Sequence, residues 1–397
     1  MKAALEGNRL PAGSATGLPR ALGSPMVEIK DVRTRLDLRR FIAFPERLYR
    51  GHPYYVPKLI GEEKKALRPD RNPAFEYCEA KYWMAFRDGE PAGRVAGIVS
   101  HRYNETWQKR RARFGWLDFT DDAEVSAALL GAVEDWARSR GLAEVHGPLG
   151  FCDLDRQGLL VEGFEELDLL ITNYNYPYYA SHLERLGYRK DADWVELQLP
   201  VPPVMPEALE RIAKAALERT KVRVLQTRSM KDILPYVERI FEAVNETYRG
   251  LYGVVRLSDA QVQYYTKEFF GVLDHRFVTI ILDRDDNIAA FGAVMPSLAR
   301  ALQQCRGRLF PFGFLRILRD LRTSDRLEML LTAVRPPYQK KGLNAVLIHE
   351  AWKSAVARRI KLAETGPMLE SNTQILAQWK GLESRQHRRR RCYVKAL

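Results

Sequence analysis

The sequence predicts an α/β protein with a mixed sheet, made of two tandem domains of one architecture. Its 397 residues are too many for one ordinary core and correspond to about two domains of about 150 residues each. One order of elements occurs twice along the chain: hairpin, strand, helix, strand, helix, strand. Between the two series lies LPVPPVMPEAL, from Leu199 to Leu209, whose four prolines are typical of a stiff connector.

These patterns divide the chain into four segments: a flexible leader (1–25), a first domain (26–200), a Pro-rich linker with a connecting helix (201–222) and a second domain (223–397). Alternation and helical spacing define the elements of each series. The first series has a strand from Met26, a helix over 36–49, a hairpin over 81–101, a strand over 113–119 and a helix over 123–140. The second has a helix over 231–248, a hairpin over 276–295, a strand over 326–334, helices over 343–358 and 372–382, and the closing strand RRRRCYVKAL.

Composition excludes several classes of protein. The net charge of +13 favours anionic partners in general, but the basic residues are spread along the chain, which argues against nucleic acid as the partner. The four cysteines form no CxxC pair and the seven histidines no zinc spacing, so no metal is expected. Isolated thiols indicate a reducing compartment. No apolar run approaches the ~20 residues of a membrane helix, so we expect a cytoplasmic protein with no membrane partner.

The most informative stretch is VRPPYQKKGLNAVLIHE, in which a buried strand passes through a short cationic turn into an apolar-striped helix. The start of a helix presents unpaired backbone N–H groups and the positive end of the helix dipole, and phosphates bind there. Gly342 permits a close approach of backbone, and Lys340 and Lys341 add charge. A surface turn with solvated lysines is the alternative.

Gln-Lys-Lys-Gly-Leu-Asn at this position resembles the Q/R-x-x-G-x-G/A signature of the GNAT (N-acetyltransferase) superfamily. The resemblance spans about 223–397, and the first half looks like the same fold; the whole chain is similar to bacterial proteins with two such domains in tandem. It implies that the turn binds the pyrophosphate of acetyl-CoA or another acyl-CoA, a cosubstrate, while the preceding strand pairs with the pantetheine arm. The implied cofactor-binding residues are Leu331, Thr332, Ala333, Val334, Gln339, Lys340, Lys341, Gly342, Leu343, Asn344, Ala345 and Asn372. Asn344 departs from the signature, which has a small residue there.

The equivalent junction of the first half is acidic. It reads FGWLDFTDDAEVSAALL, with Asp118, Asp121, Asp122 and Glu124 where the second half has cations. Carboxylates cap helix N-termini but repel a pyrophosphate. We therefore expect a degenerate first domain that does not bind the cofactor in the usual way.

Three residues are candidates for proton transfer. Glu328 lies eleven residues before Gln339, the spacing at which histone acetyltransferases of the family place a general base; alternatively it is an exposed carboxylate at a strand start. The family's general-acid tyrosine corresponds here to Trp379, which cannot supply a proton to a thiolate. Tyr338 and Tyr393 are the substitutes we consider. Asn372 is equally well explained as the N-cap of its helix.

Two further stretches have open interpretations. Arg388 to Arg391 is the densest charge run, and we interpret it as a solvated edge strand, or alternatively as a contact for phosphates or an anionic acceptor. FPFGFLRIL, from Phe310 to Leu318, either lines an acceptor pocket or forms a helix between the domains.

The function implied by the resemblance is N-acyl transfer, with acetyl as the first expectation. The amine of a small-molecule or peptide acceptor would attack the thioester directly, because no cysteine lies in the predicted site. A non-catalytic protein that senses acyl-CoA or another anionic ligand is one alternative, and an aminoacyl-tRNA-dependent transferase is another.

Overall fold

The computed structural model describes residues 27–270 and 273–397, apart from the side chains of residues 269 and 270. The predicted leader therefore lies outside the described residues. Strands are β1 (Val27–Asp31), β2 (Cys78–Arg87), β3 (Glu90–Ser100), β4 (Arg111–Phe119), β5 (Glu144–Gly147), β6 (Leu159–Glu162), β7 (Arg189–Pro200), β8 (Arg223–Val224), β9 (Val278–Leu282), β10 (Ile288–Pro296), β11 (Arg326–Val334), β12 (Leu362–Glu364), β13 (Met368–Leu369) and β14 (Arg385–Ala396).

Each of the five helices predicted by a residue range has a counterpart among the α-helices of the described residues. They are α1 (Arg35–Leu48), α2 (Ile60–Ala66), α3 (His101–Thr106), α4 (Ala123–Ser139), α5 (Tyr178–Arg185), α6 (Glu207–Thr220), α7 (Val237–Tyr248), α8 (Asp259–Phe270), α9 (Ala299–Cys305), α10 (Gly313–Thr323), α11 (Leu343–Ala357) and α12 (Thr373–Ala377). Two predicted helices are shorter than expected. Short 3-10 turns occupy residues 230–236, ahead of α7, and α12 ends at Ala377 instead of continuing to Leu382.

The described strands form one 14-stranded sheet, and its order contains an exchange between the halves. The main path runs β1-β2-β3-β4-β5-β14-β7-β12-β11-β10-β9-β8, with β6 and β13 paired beside it. Strand β14, the last of the chain, pairs with β5 of the first half, where Tyr393 lies opposite Gly147. Strand β7, the last of the first half, pairs with β12 of the second half, where Leu199 lies opposite Ala363. Each half is thus completed by the closing strand of the other.

This exchange overturns the interpretation of Arg388 to Arg391 as a solvated edge strand. Strand β14 lies between β5 and β7 in the middle of the sheet, and Arg388 and Arg390 are fully buried. Their guanidinium groups meet Glu196 of β7: Arg388 Nε donates to Oε2 at 2.6 Å and Arg390 Nε to Oε1 at 2.5 Å. The sequence did not indicate this burial, because a run of charged residues does not show which strand it will pair with.

The parallel strand pairs on both sides of the exchange are short. In the second half this leaves space for a site. Strands β11 and β12 pair only over Arg326–Glu328 and Leu362–Glu364. Strand β11 then continues to Val334, while the chain after β12 turns away to pair with β7. In the first half the corresponding opening is closed, since a Cβ at Gly115 of β4 would lie 2.4 Å from the carbonyl oxygen of Leu149.

The connecting helix packs on the second half. Ala213 and Ala216 of α6 belong to one core cluster with Leu343 and Leu347 of α11. None of the helices in the described part of the chain combines the length and the apolar character that a bilayer crossing requires.

Candidate functional site

The turn before α11 joins a strand to a helix N-terminus, the order of elements on which the prediction of an anion site depends. Strand β11 ends at Val334, and α11 begins after Gly342, which adopts a left-handed φ of 82° as the N-cap. Any other residue there would be strained, and its Cβ would lie 3.1 Å from the Cβ of Ala216. The first amides of α11 follow directly. Gly342 is therefore required both by backbone conformation and by the packing of α6.

Positive charge surrounds this turn. Lys340 and Lys341 are exposed, and Lys340 also has a left-handed φ of 59°. Arg219 of α6 donates from Nη2 to the carbonyl oxygen of Lys341 at 2.7 Å, so a third cation, absent from the predicted motif, borders the turn. Gln339 is turned back toward the strand, because its Nε2 donates to the carbonyl oxygen of Val334 at 3.0 Å. In the first half, the carboxylate of Asp122 caps α4 instead.

Strand β11 carries a bulge in its pairing with β10. Leu331 lies opposite Ala293 of β10 and Met329 opposite Val294, so Leu330 has no residue opposite it. One consequence is that Leu330 and Leu331 both reach the same cavity. Beyond the bulge, the hydroxyl of Tyr248 lies against Thr332, donating to its carbonyl oxygen at 2.8 Å and accepting from its amide at 3.4 Å.

An apolar cavity of about 220 Å³ lies at this opening. Its walls come from both halves: the loop after β5, strand β7, the segment before α7, α7 and α8, β9 to β11, and the turn after β12. The apolar lining is formed by Leu154, Ile171, Trp194, Met230, Ile233, Val237, Ile240, Phe241, Leu273, Val278, Phe291, Ala293, Leu330, Leu331 and Pro367. Such a lining suits an apolar chain far better than a charged or sugar-like ligand.

Few polar groups reach the cavity, and Asp153 and Tyr248 are the most informative of them. Burial raises the pKa of Asp153 to about 6, and its Oδ1 has no hydrogen-bond partner among the described residues. Burial raises the pKa of Tyr248 to about 12, and the Asp153 charge acts in the same direction. Asp153 lines the cavity, and its buried carboxylate oxygen without a hydrogen-bond partner makes it the candidate to accept a proton from a ligand. Asp153 belongs to the first half and Tyr248 to the second.

Cys152 precedes Asp153, although the sequence places no cysteine in the predicted site. Its Sγ lies 3.0 Å from the hydroxyl of Tyr265, which lines the cavity. Burial holds the pKa of this thiol well above its usual value. The group therefore remains a neutral thiol, which is a poor nucleophile.

Glu328, the base candidate, is fully buried rather than exposed at a strand start. Ser297 donates its hydroxyl to Oε1 at 2.6 Å, and the Leu170 amide donates to Oε2 at 3.1 Å. Burial raises the pKa of Glu328 to about 7, and the neighbouring Glu364 carboxylate adds to this. Both oxygens of Glu328 are thus occupied, in contrast to Oδ1 of Asp153.

The other candidates lie apart from one another. Tyr338 precedes the turn, and its hydroxyl donates to Asp283 at 3.0 Å. Tyr393 is fully buried in a core cluster of first-half residues, because β14 completes that half of the sheet. Trp379 is also buried, and its indole N–H points to the sulfur of Met368. Asn372 caps α12, accepting from the Ile375 amide at 3.2 Å.

Sequence reasoning missed Asp153, Tyr248 and Arg219. Asp153 stands in GFCDLDRQG, a loop whose two closely spaced acidic residues were the available signal. Tyr248 ends a predicted helix, but no spacing connects it with a strand more than eighty residues away. The strand exchange and the packing of α6 bring these residues to the site.

Comparison with known proteins identifies the fold. No family model matches the sequence. Solved structures of similar fold include a tandem GNAT protein from the clavulanic acid biosynthesis pathway, 12% identical with a TM-score of 0.54, covering 94% of this chain and 98% of that one. Another is the GCN5-related glucosamine N-acetyltransferase region of a fungal multi-domain GH3 β-N-acetylglucosaminidase, 12% identical with a TM-score of 0.55, covering 95% of this chain and 39% of that one. The chain has the GNAT fold in tandem, as its sequence predicts.

Two curated proteins resemble the chain over nearly its whole length. Protein YghO of Escherichia coli is 28% identical over 92% of this chain and 95% of its own length. The bacterial ceramide synthase of Caulobacter vibrioides is 26% identical over 92% of this chain and 96% of its own length.

Proposed function

We propose that the protein is an acyl-CoA-dependent N-acyltransferase in which the acyl donor, the amine acceptor or both carry an apolar chain. The observation that carries this proposal is the cavity at the diverging strands. Its lining joins an extensive apolar wall to two polar residues: Asp153, whose buried Oδ1 has no hydrogen-bond partner among the described residues, and Tyr248. The GNAT fold of both halves supports acyl transfer as the reaction class.

The turn before α11 is suited to the phosphates of coenzyme A. A left-handed glycine, the first amides of a fifteen-residue helix and three cations meet there: Lys340, Lys341 and Arg219. The β11 edge at Thr332 offers a carbonyl oxygen and an amide that no strand engages; a pantetheine arm that pairs there would replace the hydroxyl of Tyr248. Bound here, the cosubstrate supplies an activated thioester.

Asp153 and Tyr248 divide the proton transfers between them. The carboxylate of Asp153 accepts a proton from the acceptor amine, whose nitrogen forms a bond to the acyl carbon. The carbon–sulfur bond breaks, and the hydroxyl of Tyr248 gives its proton to the departing sulfur. No covalent enzyme intermediate is needed, in keeping with the neutral thiol of Cys152.

An apolar chain on at least one substrate is favoured by two independent observations. The cavity wall consists mainly of aliphatic and aromatic side chains, which an acetyl group would leave largely uncovered. A ceramide synthase, by its name, makes an N-acylated lipid, and this relative matches the chain over nearly all of its length. The sequence favoured acetyl; the cavity favours a longer chain.

The alternative of a non-catalytic sensor depends on Trp379, which occupies the position of the family's general-acid tyrosine. Trp379 is enclosed against Met368 and has no proton to give at neutral pH. Tyr248 offers a hydroxyl on the β11 edge itself, so a catalytic site needs no tyrosine on α12. The tRNA-dependent alternative gains no support from the cavity, whose apolar wall suits no nucleotide.

Calorimetric titration of acetyl-CoA and palmitoyl-CoA tests the donor site. The parent protein should bind both, palmitoyl-CoA more tightly, and Gly342→Glu should bind neither. Gly89→Glu is the matched control, because Gly89 has the same φ of 82° in a turn of the first half with nothing within 4 Å of its Cβ position. Equal loss in both variants, or binding that survives in Gly342→Glu, would remove the turn from the proposal. Thermal unfolding verifies that both variants fold.

A further inference from the structure

One surface segment of the second half exposes apolar side chains at high density. Five of the nine large apolar side chains that are exposed in the described part of the chain lie within residues 310–318. Phe310 is 80% exposed and Phe312 71%, and they precede α10. With Phe314, Leu315 and Leu318 on α10 they form what we call the aromatic surface. The remaining exposed apolar residues are scattered singly, which is ordinary for a folded chain.

Helix α10 has more apolar side chains than the rest of the protein buries. Ile317 is buried and Leu321 packs with it against α9, in the cluster that contains Leu298 and Leu302. Leu318 lies about 100° around the helix from Ile317 and Leu315 about 160°, and both remain about half exposed. A helix that covers only part of its apolar arc at the surface has the character of an interfacial helix.

Positive charge borders the aromatic surface. Residues 299–324 contain six arginines, Arg300, Arg306, Arg308, Arg316, Arg319 and Arg322, all exposed, against the single carboxylate of Asp320. Asp320 is turned toward α9, where it accepts from the Ala301 amide at 2.7 Å. Arg306 and Arg308 approach Glu46 of α1 at 3.9 and 3.4 Å, and remain largely exposed.

The aromatic surface lies on the far side of an apolar cluster from the cavity. Leu273 and Leu330 line the cavity and also pack against the cluster that supports α9 and α10. The helix that carries the exposed side chains is thus joined to the site by continuous packing. Neither Phe310 nor Phe312 lines the cavity, so the interpretation of FPFGFLRIL as a pocket wall is replaced by an outward orientation.

We infer that the aromatic surface binds the surface of a lipid bilayer that contains anionic lipids. Phe310, Phe312 and Phe314 enter the headgroup region, where aromatic rings are favoured, and the surrounding arginines contact lipid phosphates. This is peripheral binding without a spanning helix. It departs from the sequence prediction of no membrane partner, which considered only spanning segments. It goes beyond the proposed function and does not depend on it.

Vesicle sedimentation tests this inference on the full chain. The parent should bind vesicles of phosphatidylcholine with phosphatidylglycerol at least tenfold more tightly than vesicles of phosphatidylcholine alone, and added salt should weaken the binding. The double variant Phe310→Ser/Phe312→Ser should lose binding to both. Arg319→Gln/Arg322→Gln should bind anionic vesicles about 25-fold more weakly and leave binding to phosphatidylcholine unchanged, since each arginine near an anionic surface contributes about fivefold.

The matched control is Leu36→Ser/Val204→Ser, which removes two apolar side chains that are 54% and 77% exposed elsewhere. It should bind vesicles as the parent does. The inference is overturned if the parent binds neither vesicle, or if the aromatic variant binds as well as the control. It is also overturned if light scattering shows a dimer that the aromatic variant abolishes, while no vesicle is bound, because the surface would then join two copies of the chain. Acyl transfer is not measured, so failure of the proposed function leaves this result unaffected.

Discussion

The hydroxyl of Tyr248 lies 2.8 Å from the carbonyl oxygen of Thr332, on the edge of β11 that has no neighbouring strand. The helix that ends at Tyr248 thus reaches the backbone that a pantetheine arm would pair with. Binding at this edge would release the hydroxyl into the apolar cavity beside it.

Tyr248→Phe should therefore separate catalysis from binding. Loss of the proton donor should lower kcat by about a hundredfold or more. KM for the acyl-CoA should stay the same or fall, because the hydroxyl no longer competes for Thr332. Release of free thiol, followed over a range of acyl-CoA concentrations, measures both constants. Tyr176→Phe is the control, since that hydroxyl also donates to a backbone carbonyl, of Leu48 at 3.2 Å, in the first half. A raised KM with unchanged kcat would make Tyr248 a binding residue only.

Asp153→Asn should remove the acidic limb of the pH–rate profile. The carboxylate has a pKa of about 6 and acts when ionised, so activity of the parent should rise as pH increases through about 6. The rate of the asparagine variant should be lower by about a hundredfold or more, and its pH–rate profile should have no acidic limb near that pH. Asp153→Glu should restore part of the rate. If Glu328→Gln rather than Asp153→Asn abolishes the limb, the base is Glu328, as the sequence predicted.

Glu328 should make stability depend on pH. Its pKa rises from 4.5 to about 7 on folding, so the folded state prefers the protonated form. The contribution to stability is complete below about pH 4.5 and is lost as pH rises to about 7, a change of about 3 kcal/mol. Glu328→Gln, which stays neutral, should gain this amount relative to the parent between pH 4.5 and 8. Urea unfolding at the two pH values measures it. A difference that does not vary with pH would show that Glu328 titrates normally.

Glu196→Gln should strongly destabilise the exchanged strands. Its two oxygens accept from Arg388 and Arg390, and all three side chains are inaccessible to solvent. Removal of the shared carboxylate leaves Arg388 and Arg390 with only their longer pairs, to Glu364 at 3.4 Å and to Asp168 at 3.3 Å, and should cost about 3 to 5 kcal/mol. Glu370→Gln, which breaks exposed pairs with Lys190 and Arg389, should cost about 1 kcal/mol or less. Equal losses in denaturant unfolding would contradict this account of the network.

Local features of the fold were predictable from the sequence. The bounds of β11 agree with prediction, and α11 begins at the predicted residue, because an apolar run, a glycine and a helical stripe follow one another directly. The signature from Gln339 to Asn344 also predicted the GNAT fold, since it lies within one short turn. Such signals depend only on neighbouring residues.

Features that depend on the meeting of distant segments were not predictable. The exchange of β7 and β14 places Tyr393 in the first half and buries Arg388. The alternation of residues in these two strands does not indicate which half of the sheet each strand will join. Asp153 reaches the second half's cavity for the same reason. The pKa values of Asp153 and Glu328 depend on burial, which the sequence around them does not specify.

The most direct measurement incubates the protein with palmitoyl-CoA and a panel of amines with and without long apolar chains, and detects new amides by mass spectrometry. We predict an amide with a long-chain amine, formed at a rate that Asp153→Asn reduces about a hundredfold or more and that Tyr176→Phe leaves unchanged. Tight binding of palmitoyl-CoA with no amide from any amine would contradict this account and would support a non-catalytic acyl-CoA-binding protein instead.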